Sequence, residues 1–273
     1  MPTWIRHTGV QSNEAHPAGS GHAAAPLVVL AVALGVVDVL VIAGYLRHLL
    51  YNDAAESRDP VFSAETWNGN IDGSFAEFLG HVQLICACVA LFFLWRAGRT
   101  AAYGAWGLAF AAVVADDLFM LHERGGRALA QAFAVPAVSG LRPQDLGELA
   151  VWALMGAIIA PLLLVTHLRA GAGARRRSLT LLALVAALAA FAVAVDLVHT
   201  LAKPWVPPLA DTAVAVLEAT GELSVMTLIL LAVSGMVLED ASRSARRASG
   251  TPRPRSTSAS WDTAGIGHGR SAR

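Results

Sequence analysis

The chain has 273 residues, 55% hydrophobic and only 15% charged, with twenty basic and twenty acidic side chains giving zero formal net charge. A soluble domain carries about 25% charged residues, and a mean hydropathy of +0.54, with the apolar residues in long blocks, excludes that class. The charge balance gives no reason to expect a nucleic-acid partner.

Residues 1–24 are polar, and the apolar run that follows is longer than the 7–15 residues typical of a signal-peptide core. They read as a disordered tail before an uncleaved first span; His7, His16 and His22 within them lack helical ligand spacing. A membrane helix needs about 20 mostly apolar residues at a rise near 1.5 Å. Six segments meet that length: 25–47, 75–95, 100–121, 147–168, 178–201 and 212–238. The expected fold is all-α, a polytopic bundle of six transmembrane helices occupying 25–239. The connections 48–74 and 122–146 carry Gly, Pro and Asp turn signals. The Arg-, Ser- and Pro-rich stretch 240–273 reads as a disordered tail. Cys86 and Cys88, two apart in one apolar block, point to different helix faces and read as small buried hydrophobes.

Lys and Arg in the connections set the expected orientation. Fourteen fall on the side of both termini, including Arg96, Arg99, Arg169 and Arg175–Arg177, and six on the other. Both termini are therefore expected in the cytoplasm of a multi-pass cell-membrane protein. Trp95 and Trp106 would lie at the inner boundary, Trp152 and Trp205 at the outer one, as aromatic belts require.

The ionisable residues inside the spans then fall at one depth. Asp38, Glu77, His81, Asp116, Asp117, His122, Glu123, Glu148, Asp196, His199, Glu218 and Glu222 all lie in the outer half of alternating helices. Each costs about 2.5–3.5 kcal/mol inside a span on the insertion scale, so they are expected to converge on a polar chamber. Glu77 with His81, Glu218 with Glu222, and Asp196 with His199 share helix faces at three- or four-residue spacing. Outward helices repeat an aspartate (Asp38, Asp117, Asp196) and returning helices a glutamate (Glu77, Glu148, Glu218), consistent with three related hairpins.

Histidines with carboxylates suit a divalent metal such as zinc, iron or manganese. The expected ligands are His81, Asp117, His122 and His199. Glu77, Glu148, Asp196, Glu218 and Glu222 would supply further ligands or orient them. Glu123 is the expected general base of a hydrolase acting on a lipid or membrane-associated small molecule. Three other uses of such a cluster are proton- or cation-coupled transport, haem held between His81 and His199, and an interhelical hydrogen-bond network. No HExxH motif or paired ExxH motif occurs. Asp and His gathered towards one face resemble the membrane hydrolases that include alkaline ceramidases and adiponectin-type receptors. Those carry seven spans and a His-x-x-x-His on the last; this chain has six candidate spans and Glu218-x-x-x-Glu222 there, so none of their residue roles is carried over.

Overall fold

Long apolar runs fold as helices because a bilayer core offers no hydrogen-bond partner to an unpaired backbone amide. The computed structural model describes residues 21–52, 61–138 and 140–248, and these residues are helical with short connections and no strand. The histidines His7 and His16, Arg6, Arg58 and the segment after Ala248 lie outside the described residues.

The first helix, α1 (Gly21–Asn52), is followed by a 3₁₀ turn at Glu65–Trp67 and by α2 (Phe75–Arg96). Then come α3 (Ala101–Leu118), α4 (Leu121–Ala132) and α5 (Pro143–Arg169). A continuous stretch contains α6 (Ala172–Ala189), a π-helical turn at Ala190–Val195 and α7 (Asp196–Ala202); α8 (Pro208–Ala248) closes the chain. Five helical stretches are long and apolar enough to cross a membrane, and a sixth is counted if α3 and α4, bent by 68° at their junction, form one span.

The core lies where α2, α3, α6 and α8 meet, around Leu84, Leu91, Phe110, Leu181 and Ile229. Most of α1 and α5 instead exposes apolar side chains such as Val29, Leu40, Ile158 and Leu164, as lipid-facing helices do. Small residues set the closest approaches. A β-carbon on Gly147 of α5 would lie 2.2 Å from the Gly126 carbonyl oxygen of α4, and one on Gly80 of α2 would lie 2.3 Å from Met226 Sδ of α8. A β-carbon on Gly44 or Gly221 would likewise meet Trp67 or Phe191, whereas Gly35 faces open space. Cys88 is buried and donates to the Gly107 carbonyl (3.1 Å), while Cys86 is exposed.

Several local expectations are corrected. Trp106 faces the core rather than the lipid: it is buried, and its indole N–H donates to Ser178 Oγ at 2.9 Å. The third segment ends at Leu118 rather than 121, because Met120 adopts a left-handed backbone (φ 50°) that breaks the helix. α8 runs to Ala248, nine residues into the stretch read as tail. Arg99 holds that extension through Asp240 and Ser244, and Arg177 holds it through Glu239.

Candidate metal centre and acidic chamber

Helix starts and stops position the site. Ser74 caps α2 by accepting from the Glu77 N–H (3.2 Å), and Glu77 Oε2 accepts from the Gly73 N–H (2.5 Å). The Glu77 carboxylate reaches past the N-cap amide to the amide before it, a relative of the S-x-x-E capping box. These contacts fix Glu77 at the mouth of α2, and one turn later His81 points to the same side. α3 brings Asp117 against His81 from the neighbouring helix: Asp117 Oδ2 lies 2.5 Å from His81 Nε2, and Glu77 Oε1 lies 3.9 Å from His81 Nδ1. One ligand atom from each of Glu77, His81 and Asp117 fits within 4.8 Å of the others. His81 is 5% exposed, whereas the two carboxylates reach open space.

That space is a cavity of about 340 Å³ walled by the 69–72 loop and by α2, α3, α7 and α8. Asp72, Glu77, Asp117, Asp196, Glu218 and Glu222 line it, with Lys203 as the one cation among its lining residues. Glu218 and Glu222 face it together, as their spacing predicts, and so do Asp196 and His199. His199 is held from two sides: Asp211 Oδ1 lies 2.8 Å from Nε2, and Glu218 Oε2 lies 3.7 Å from Nδ1.

The expected four-residue ligand set does not assemble at one point. His122 Nδ1 pairs with buried Asp116 at 2.8 Å and its ring stacks near Trp152 (5.5 Å between centroids). It faces a second cavity of about 140 Å³ with Glu148, Asp145 and Arg142. Gln144 donates to Glu148 at 2.7 Å. Arg142 is held by Asp145, whose hydrogen bonds push the guanidinium pKa above its ordinary value and keep it charged. Asp196 and Thr200 line both cavities, so the two adjoin. Glu123 lines neither; it pairs with Arg127 on α4 at 3.5 Å, carried aside by the bend at Met120.

Asp38 lies away from the triad and pairs with neutral side chains. It accepts from Thr227 Oγ1 (2.6 Å) and from Gln83 Nε2 (3.2 Å), on the α8 and α2 faces below the chamber. His48 is buried and meets the Phe62 carbonyl at 2.8 Å. Sequence reading missed Gln83, Thr227 and Asp211 as partners of ionisable groups. Gln83 offered a signal, an amide at the edge of an apolar block; Asp211 fell just before an expected span and offered none.

The arrangement therefore holds three imidazole–carboxylate pairs, one of which joins Glu77 in a group that could hold a metal ion, beside a carboxylate-rich cavity. No curated protein and no solved structure matches the chain. A protein family described as Domain of unknown function (DUF8692) matches residues 23–237, and the chain belongs to that family.

Proposed function

We propose that this is a six-span protein of the cell membrane, with both termini cytoplasmic, that binds a divalent cation through Glu77, His81 and Asp117 near its outer face. The observation that carries the reading is that one imidazole and two carboxylates from adjacent helices come within 4.8 Å beside a cavity crowded with further carboxylates. One nitrogen and two oxygen donors suit zinc, iron or manganese rather than a soft metal. A divalent cation also offsets the repulsion among six carboxylates that face a single lysine.

The activity proposed for the chamber is metal-dependent hydrolysis of a lipid or other membrane-associated small molecule. A divalent ion there supplies Lewis acidity. Glu222 and Glu218 line the same cavity outside the ligand triad, so they replace Glu123 as the proton acceptors within reach of a bound substrate. Ile71, Leu223 and Met226 give the cavity an apolar wall suited to an acyl chain or a similar group.

Cation- or proton-coupled transport is the second reading. It is supported by the Asp38–Gln83–Thr227 cluster, which continues the polar groups from the chamber towards the middle of the spans. Metal analysis of the purified protein tests the first reading. Wild type is expected to hold about one divalent ion per chain, with the content falling to near zero in His81→Ala and Asp117→Asn. Equal metal content in all three overturns the metal centre. Metal-free wild type whose proton uptake into liposomes is abolished by Asp38→Asn would establish transport instead.

A further inference from the structure

At the end of the bundle opposite the acidic chamber lies a cavity of about 360 Å³, formed by the α2–α3 turn, the α5–α6 turn and the α8 extension. Four arginines line it: Arg99, Arg169, Arg177 and Arg243. Among the described residues, the carboxylates within ion-pair distance of these four are Asp240, which holds Arg99, and Glu239, which Arg177 and Arg243 share. Arg169 has no carboxylate partner there. Four guanidiniums against two carboxylates leave an excess of two positive charges around a concave site.

The backbone adds donors. α6 begins at the wall of this cavity, and its N-cap, Gly171, supplies no side-chain acceptor to the first-turn amides. Such amides carry the positive end of the helix dipole and bind anions readily. Gly173 and Ala174 in that turn also line the cavity and carry little or no side chain to cover the amides, and a β-carbon on Gly173 would touch nothing within 4 Å. Two contacts set the shape of the site. Arg175 Nε donates to the Ala170 carbonyl (2.7 Å) and fixes the turn, and Arg177 donates to Tyr103 Oη (2.8 Å), which also lines the cavity. A guanidinium presents paired N–H groups matched to phosphate oxygens.

We propose that this cavity binds a phosphate-bearing anion, either the headgroup phosphate of an acidic phospholipid or free phosphate. Excess guanidinium charge, an uncapped helix start and a concave surface together select a compact oxyanion. The site is independent of the metal centre, since the two share no residue.

The test uses the full-length protein in non-ionic detergent. One arm titrates inorganic phosphate calorimetrically. The other measures, by native mass spectrometry, the lipid retained from an equimolar mixture of phosphatidic acid, phosphatidylglycerol and phosphatidylcholine. Retention of the acidic lipids over phosphatidylcholine assigns the headgroup, and calorimetric binding without that preference assigns free phosphate; either supports the site. Arg169→Gln is expected to weaken the interaction roughly tenfold. Gly173→Asp should weaken it at least as much, because it places a carboxylate on the same amides while favouring the helix start. Arg127→Gln, at the other end of the bundle, should change nothing. The proposal fails if wild type binds no phosphate and shows no lipid preference, or if Arg169→Gln and Gly173→Asp both bind like wild type.

Discussion

The two ends of the bundle hold ionisable groups in opposite states. At the chamber end, six carboxylates line a cavity with one lysine, and two of them share an imidazole. At the arginine end, each acidic group on α8 meets at least one guanidinium, and a tyrosine and a serine complete the donors and acceptors. Repulsion at the first end has to be relieved by protons or a cation, whereas three of the four arginines at the second are cross-linked to α8 carboxylates and Arg169 is left over. The difference separates an end that depends on a ligand from one that a ligand only completes.

The sharpest way to break this contrast is to remove the cation. Thermal unfolding of the detergent-solubilised protein with and without chelator should lose about 2.7 kcal/mol if the metal is present at a hundred times its dissociation constant. His81→Ala should show no chelator effect, while Arg169→Gln should keep the full effect. A loss of the same order is expected deeper in the spans. Thr227→Val removes a hydroxyl donor from Asp38 and leaves that carboxylate short of a partner, a cost of about 1–3 kcal/mol in the same melting experiment. Trp106→Phe should cost about 1 kcal/mol, because it deletes the indole bond to buried Ser178 while keeping most of the ring. Glu239→Gln should cost least, roughly 0–1 kcal/mol, since the carboxylate is 56% exposed despite its two guanidinium partners. If Glu239→Gln proved costlier than Trp106→Phe, the arginine end would depend on its charges rather than on its buried neutral contacts.

The parts of this architecture that could be read from the sequence are those fixed by local rules. Unbroken apolar blocks fold as helices because no other open segment satisfies its amides in lipid, and a four-residue interval placed Glu77 and His81 on one face. Partners across helices were less accessible. Asp116 and Asp117 are adjacent, yet the first turns to His122 and the second to His81. Which one faces which helix depends on the rotation of α3 and on the break at Met120, and a left-handed methionine has no sequence signature. The π-helical turn at Ala190–Val195 is similar. It packs Phe191 on Gly221 and sets the facing of Asp196 and His199, although AFAVAV looks like ordinary helix. Gathering all three histidines at one metal was therefore an inference from depth that interhelical geometry resolved into separate pairs.

The bend after α3 also bears on how the bundle is tied together. The eighteen residues of α3 rise about 27 Å, close to the roughly 30 Å hydrocarbon thickness. α4 turns off at 68° from α3, with Arg124 and Arg127 exposed and Gly126 pressed against α5. A short limb set across a long one works as a bracket: it ties the end of α3 to α5 beside the chamber.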